Sequence, residues 1–176
     1  MFSRAGMFTL AALVVALDRA SKLLVEQYVS LWDTYVVIPH CFNIVHSENR
    51  GAVFGMFSDS SGEWRTLLLV GFSSLVTVFV ASLLWQVSRR GSNETRTLRI
   101  ALALVLGGAL GNMYDRLAAG TVTDFLDFYL ASYHWHTFNL ADSAITVGAG
   151  LLLADMWRSR RKRRPAPEAK AQASKA

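Results

Sequence analysis

A long stretch without any charged residue constrains this chain more than any other feature of its sequence. No Asp, Glu, Lys or Arg occurs from residue 66 to residue 88, and the stretch is almost wholly apolar. About 20 apolar residues in a helix span the hydrocarbon core of a bilayer. Hydrophobic residues make up 52% of the chain and charged residues 18%, which agrees with a membrane protein without proving one. The sequence therefore predicts an integral membrane protein.

Three further apolar segments raise the predicted number of transmembrane helices to four. The predicted helices cover approximately residues 5–25, 65–87, 100–117 and 138–157. They belong to one membrane domain of residues 1–157. A secretory signal peptide is the alternative for the first segment, which has one Arg, an apolar core and then polar residues. No small-x-small cleavage site follows that core, so we prefer a transmembrane helix. In the third segment, Gly107 and Gly111 have the spacing that lets two helices approach closely.

The two long connections between these helices are expected to lie on one side of the membrane. In the connection 26–63, two β-branched and aromatic runs flank Pro39, which predicts a hairpin. Glycines beside aromatics at 51–57 predict a short interfacial helix or loop, and an ordinary re-entrant turn is the alternative. The connection 118–137 is strongly aromatic. The predicted fold class is thus an all-α membrane protein, a four-helix bundle with a small β-rich extracytoplasmic loop domain.

The distribution of basic residues predicts how the helices are oriented. Residues 88–99 and 158–176 are rich in Arg and Lys, whereas the two long connections contain almost none. Basic segments stay on the cytoplasmic side of a membrane. Both termini are therefore expected on the cytoplasmic side of a bacterial-type inner membrane. Residues 158–176 are predicted to form a disordered basic tail.

Polar residues gather at those ends of the apolar segments that this orientation places outside the cytoplasm. Charge in or beside hydrocarbon is costly, so such residues are candidates for a functional site. They come from five separate stretches: Asp18, Asn49, Asn112, Asp115, Asp124, Asn139 and Asp142. Asp18 and Lys22 are four residues apart and are expected to pair. A simple ion pair at the membrane interface is the structural alternative for these two.

The other candidates also have structural alternatives. Asn139 could cap the fourth helix, with Asp142 near the positive end of that helix. Asp115 could form an internal ion pair with the neighbouring Arg116. Asp124 could be an ordinary loop acid. A shared role for all of them on one side of one bundle is the hypothesis that we favour.

A pair of carboxyl groups is the smallest set of side chains that can hydrolyse an amide without a cofactor. Two close acids share one proton, so one can act as a base on water while the other protonates the carbonyl oxygen. The His-Glu-x-x-His and Gly-x-Ser-x-Gly motifs of other hydrolases do not occur. The single Cys41 excludes an internal disulfide. His134 and His136 could offer two metal ligands, but a site needs a third, so no metal and no cofactor is expected.

Five short motifs resemble those of the bacterial prolipoprotein signal peptidase family, the type II signal peptidases. They lie at residues 18–22, 49–55, 107–116, 122–125 and 138–145, in the order that the family shows. Each motif is weak by itself, but five in order on a four-span background are specific. Thr123 stands where many members have Val, a mild difference that leaves the assignment of the neighbouring Asp124 unchanged.

The resemblance implies an intramembrane aspartic endopeptidase that cleaves a prolipoprotein just before a diacylglyceryl-modified cysteine. The catalytic pair of the family falls on Asp124 and Asp142, a choice over Asp115 that the residues alone would not have given. The supporting or substrate-binding residues fall on Asp18, Lys22, Asn49, Gly51, Asn112, Asp115, Arg116 and Asn139. Expected partners are the lipid-modified substrate and membrane lipid, with no nucleic acid, and the enzyme is expected to be a monomer.

Two expectations about the acids follow from their surroundings in the sequence. Asp115, beside Arg116, is expected to stay ionised. Asp124 is expected on a mobile aromatic loop that closes onto Asp142 when the substrate enters. The active site would lie near the extracytoplasmic face.

Two other functional classes are weighed against the peptidase. A small transporter would also carry intramembrane acids, but the chain has no inverted repeat and its acids gather at one face. Transport would show accumulation of a substrate in vesicles without peptide cleavage. An inactive assembly subunit would tolerate Asp to Asn changes that preserve packing.

Overall fold

The computed structural model describes residues 3–50, 63–89 and 91–163. Four long helices dominate it, and four strands form a small antiparallel sheet. In chain order the elements are α1 (Arg4–Tyr28), β1 (Thr34–Ile38), β2 (Phe42–Asn49), α2 (Glu63–Val87), α3 (Arg96–Ala119), β3 (Val122–Leu130), β4 (Tyr133–His134) and α4 (Leu140–Arg163). The predicted combination of a helical protein with a small β-rich part is confirmed.

Three of the helices are long and apolar enough to cross a membrane. The candidate spans are Leu68–Val87, Arg96–Ala119 and Leu140–Arg161. Helix α1 is as long as α2, with 25 residues each. It is not among the candidate spans and carries Asp18, Arg19 and Lys22 in its second half. A fourth span, and the side of the membrane on which the sheet lies, remain predictions.

Helix α3 packs against the other three helices, and glycines bring two of them close. A Cβ atom added to Gly107 would lie 2.6 Å from Val14 Cβ and 2.7 Å from the backbone oxygen of Ala11, so α1 lies directly against this glycine. Gly108 faces α4 in the same way, through the backbone oxygen of Ala141. The close helix packing predicted from the spacing of small residues is confirmed.

The interior of the bundle is apolar, and so is much of its outer surface. The main buried cluster consists of Met7, Ala11, Val80, Leu84, Leu102, Ala103 and Leu106. On α2, the large apolar side chains of Phe72, Leu75 and Phe79 are exposed. A helix that is apolar on every face is typical of a membrane environment.

The sheet carries polar residues to one end of the bundle. Its strand order is β1-β2-β3-β4 with antiparallel pairing throughout, and β1 and β2 form the predicted hairpin. In the β2–β3 pair, Ser47 lies opposite Asp124 and Asn49 opposite Val122, beyond a register shift that follows Ile44. Asn49 and Asp124 therefore lie close together on adjacent strands.

The structure differs from the sequence expectations at two places. The connection 118–137 contains β3 and β4, so Asp124 lies on a paired strand and not on an irregular loop. Helix α4 begins at Leu140 and continues to Arg163, past the predicted end at residue 157. The predicted interfacial segment 51–57, with Gly51, and the tail beyond Arg163 lie outside the described residues.

The packing predicts a difference between two matched glycine substitutions. Gly107→Ala should lower the free energy of unfolding by about 1–3 kcal/mol, because its Cβ collides with backbone and with a β-branched side chain of α1. Gly150→Ala on α4, where no atom lies within 4 Å of the added Cβ, should be neutral or stabilising, because Ala favours helix. Thermal unfolding in detergent measures both variants. Equal midpoints would contradict the proposed contact.

Candidate active site

A fully buried lysine lies at the centre of the polar network. Lys22 of α1 has no exposed surface, and its Nζ donates to three acceptors. They are Asp18 Oδ2 at 2.7 Å, Asp115 Oδ2 at 2.6 Å and Asn112 Oδ1 at 3.1 Å. An ammonium group has three protons, so each can be used. The predicted pair of Asp18 with Lys22 is confirmed, and Lys22 also joins α1 to α3.

Asp18 links α1 to the start of α4. Its Oδ1 accepts a hydrogen bond of 2.9 Å from the backbone N–H of Ala141. This N–H belongs to the first turn of α4 and has no partner within its own helix. Gly111 leaves room for the carboxylate, because a Cβ there would lie 2.6 Å from Asp18 Oδ2. The Asp18 carboxylate thus joins α1 to α4 at a point where both helices pack against α3.

Asn112 connects Lys22 to Asp142 through hydrogen bonds of its side chain. Its Oδ1 accepts from Lys22 and, at 3.2 Å, from Asn139 Nδ2. Its Nδ2 donates to Asp142 Oδ1 at 2.7 Å. Because the ammonium can only donate and an ionised carboxylate can only accept, these two partners fix the orientation of the carboxamide.

Asn139 and Asp142 form a reciprocal cap at the start of α4. Asn139 Oδ1 accepts from the backbone N–H of Asp142 at 3.0 Å, and Asp142 Oδ2 accepts from the backbone N–H of Asn139 at 3.3 Å. This is the arrangement of a capping box, with Asn and Asp in the places of Ser and Glu. The capping role considered for Asn139 is therefore confirmed, and the same residue also lies in the polar site.

Asp124 is held from both sides by carboxamides. Its Oδ1 accepts from Asn139 Nδ2 at 2.7 Å and its Oδ2 from Asn49 Nδ2 at 3.0 Å. The side chain is almost fully buried. Burial, and secondarily the negative charge of Asp142, raise the pKa of Asp124 from 3.8 to about 6, although the two carboxamides and Lys22 act in the opposite direction.

The two acids Asp124 and Asp142 are brought to one place by Asn139. This asparagine donates its side-chain amide to Asp124 and its backbone N–H to Asp142. Arg116 lies near enough to both acids for its positive charge to interact with them, and it donates to the backbone oxygen of Asn112 at 3.3 Å. Two carboxyl groups in a mostly buried polar site with a nearby cation are suited to acid–base chemistry on a bound water.

Most of the predicted site residues meet in this network. It contains Asp18, Lys22, Asn49, Asn112, Asp115, Arg116, Asp124, Asn139 and Asp142, whereas Gly51 lies outside the described residues. One pairing that was considered as a structural alternative is different. Asp115 forms its ion pairs with Lys22 and, at 3.6 Å, with Arg19, while Arg116 approaches the two acids. Adjacent residues on a helix point about 100° apart, so they rarely share a partner.

Sequence reasoning missed a second set of contacts beside the site. Arg19 contacts Glu26 through both of its terminal nitrogens, at 3.1 and 3.2 Å, and Thr123 Oγ1 donates to Glu26 Oε1 at 3.0 Å. The seven-residue spacing of Arg19 and Glu26, two helical turns, is the signal that could have revealed this pair.

Farther along β3, another buried acid has partners of its own. Asp127 accepts from Asn43 Nδ2 at 2.9 Å and lies 2.9 Å from His134 Nδ1. Within the described residues, no group of three or more His, Cys, Asp or Glu has the geometry of a metal site. His134, one of the two histidines considered as metal ligands, therefore pairs with Asp127.

Comparisons with known proteins agree on one group. The family model described as Signal peptidase (SPase) II matches residues 10–158. A lipoprotein signal peptidase of Solibacter usitatus is 53% identical over 154 residues, covering 88% of this chain and 92% of the relative. One from Pseudomonas fluorescens is 44% identical over 163 residues, covering 91% and 92%.

Two solved structures, each described as a bacterial membrane enzyme, share the fold. The first has a TM-score of 0.74 and 27% identity, and the match covers 92% of this chain and 93% of the other. The second has a TM-score of 0.70 and 28% identity, with coverage of 86% and 92%.

The buried lysine predicts a strong effect of removing its charge. Lys22→Met should lower the free energy of unfolding by about 3–5 kcal/mol, because Asp18 and Asp115 lose their buried counterion. Adding Asp115→Asn to Lys22→Met should recover part of the loss, because one uncompensated carboxylate is then removed. Thermal unfolding in detergent measures both. No recovery in the double variant would show that packing of the lysine stem, and not its charge, is the cause.

The raised pKa of Asp124 predicts how stability depends on pH. Because the folded-state pKa lies above the unfolded value, the stabilising contribution of this group is complete below about pH 3.8. It is lost as the pH rises through about 6. Asp124→Asn cannot titrate there, so the unfolding midpoint of the variant minus that of the wild type should increase between pH 4 and pH 7. A difference that stays constant over this range would contradict the burial of the acid.

Proposed function

This chain belongs to the signal peptidase (SPase) II family and removes the signal peptide from prolipoproteins, and we propose that Asp124 and Asp142 carry out the cleavage as an aspartic pair. The observation that carries this proposal is the bridging of both acids by Asn139. The other acids of the network, Asp18 and Asp115, are paired with Lys22 and are not available as a proton-sharing pair.

The proposed reaction uses one proton shared by the pair. The ionised carboxylate removes a proton from a water molecule, whose oxygen attacks the carbonyl carbon of the scissile peptide bond. The protonated acid gives its proton to the carbonyl oxygen, which yields a neutral diol. The first carboxyl group then protonates the amide nitrogen, the C–N bond breaks, and one diol hydroxyl returns a proton to the second carboxylate. The pair is thereby restored.

The surroundings of the two acids support a division of roles. Burial raises the pKa of Asp124 to about 6, so we assign the shared proton to this residue, which then acts as the acid. Asp142 lies in the first turn of α4, where the helix dipole favours a negative charge. We therefore assign it the role of the base. The carboxamides of Asn49, Asn112 and Asn139 hold both groups in position through the reaction.

We further propose that the substrate carries a diacylglyceryl group on the cysteine that follows the scissile bond. The exposed apolar faces of the helices support a reaction in which a lipid-bearing substrate arrives through the bilayer. The arginine-rich start of α3 and the arginine-rich end of α4 lie away from the site residues of these helices. This distribution supports an active site near the extracytoplasmic face and both termini in the cytoplasm. We also expect the enzyme to act as a monomer without a cofactor.

Substitution of either acid is expected to abolish cleavage. Asp124→Asn and Asp142→Asn should each lower turnover by at least about a thousandfold, because each variant lacks one of the two groups between which the proton is shared. Purified protein is incubated with a diacylglyceryl-modified precursor, and release of the signal peptide is followed. Thermal unfolding shows whether each variant is folded.

Asp127→Asn provides the matched control. Asp127 is a buried acid on the same strand as Asp124, but its partners are Asn43 and His134. This variant should keep cleavage activity. Turnover near the wild-type rate by Asp124→Asn would overturn the assignment of the pair.

A further inference from the structure

We propose that Arg19, Glu26 and Thr123 form a bridge that positions the acid pair and balances the charge beside it. These three are positioning residues, because they act through Asp115 and strand β3 and not on the substrate. The inference rests on the proposed function of Asp124 and Asp142. It concerns three residues to which the family resemblance assigns no role, and it gives them a part in the reaction.

The first part of the bridge ties the strand of Asp124 to α1. Thr123 directly precedes Asp124 on β3, and its buried hydroxyl donates to Glu26 Oε1 at 3.0 Å. Arg19, two turns earlier on α1, holds the same carboxylate with two hydrogen bonds. A two-pronged contact between guanidinium and carboxylate fixes direction as well as distance. Movement of β3 relative to α1 is therefore restricted one residue before the acid.

The second part of the bridge concerns the charge of Asp115. When Asp18 and Asp115 are both ionised, they exceed the single positive charge of Lys22 by one. Asp115 Oδ1 is buried and has no hydrogen-bond partner among the described residues, and Arg19 Nη1 lies 3.6 Å away. Arg19 thus supplies the second positive charge, and Glu26 holds it in place.

Charged groups in the network of Lys22 and Asp115 interact electrostatically with the pair Asp124 and Asp142. Lys22 and Asp142 both lie close enough to Asp124 to affect its ionisation, and Arg116 interacts with Asp115 as well as with the pair. The charged groups of the network and of the strand beside it are Asp18, Arg19, Lys22 and Glu26 on α1, Glu48 on β2 with its partner Arg50, and Asp115 and Arg116 on α3. Changing one charge of the bridge at a time should therefore move the pH dependence of cleavage in a defined direction.

The first experiment measures pH profiles of cleavage for charge variants. Arg19→Gln removes a positive charge and should move the limbs of the profile to higher pH, by about half a unit for a charge in a partly solvated setting. Glu26→Gln leaves Arg19 without its counterion and should move the limbs to lower pH. Arg19→Lys keeps the charge and should retain the wild-type profile. Opposite shifts of this kind would not result from a general loss of packing.

The second experiment tests the hydrogen bond to the strand. Thr123→Val keeps the β-branched shape but removes the hydroxyl, so kcat should fall by up to about tenfold with KM and the pH profile unchanged. Thr123→Ser retains the hydroxyl and should restore kcat.

One control and two outcomes complete the test. Arg89→Gln removes an exposed positive charge beyond the end of α2 and should leave the profile unchanged. If Arg19→Gln and Glu26→Gln both keep the wild-type profile, or shift it in the same direction, the bridge is wrong. That result leaves the proposed function intact as long as Asp124→Asn and Asp142→Asn remain inactive. Activity in those two variants would instead overturn the proposed function itself.

Discussion

The buried ammonium group of Lys22 is the interaction on which the rest of the site depends. A charge without contact to water is tolerated only when ionic and hydrogen-bonding partners replace its hydration. Lys22 finds these partners on two helices, in Asp18 of its own helix and in Asn112 and Asp115 of α3. Because Asp18 in turn accepts from the first turn of α4, one lysine fixes the relative positions of three helices.

Two carboxamides connect the lysine to the reactive acids by hydrogen bonds. Each of Asn112 and Asn139 accepts on its oxygen and donates from its nitrogen. A path therefore leads from a cation through amide groups to carboxylates, and every amide has one permitted orientation. Such a path holds the acids without adding further charge to a poorly solvated region. It also explains why asparagine, which has both functions on one short side chain, recurs at this end of the bundle.

The features that the sequence could predict are those that depend on local periodicity. The apolar runs, the hairpin, the glycine spacing of α3 and the pairing of Asp18 with Lys22 all follow from residues a few positions apart. The register of β2 against β3, which brings Asn49 to Asp124, joins residues 75 positions apart and has no local signal. Arg116 was considered as the ionic partner of Asp115, but Lys22 of α1, 93 positions away in the sequence, pairs with it. The choice of Asp124 over Asp115 came from the family resemblance and not from the pattern.

The capping box of α4 has a consequence for how the catalytic machinery can fail. The base proposed for the reaction also caps the start of the helix, and its partner in the cap is the residue that contacts the other acid. Unwinding of a single helical turn would thus separate the two acids and release the bridging amide in one event. The site is therefore able to hydrolyse only while the first turn of α4 is folded. Local unfolding of that turn would inactivate both acids at once.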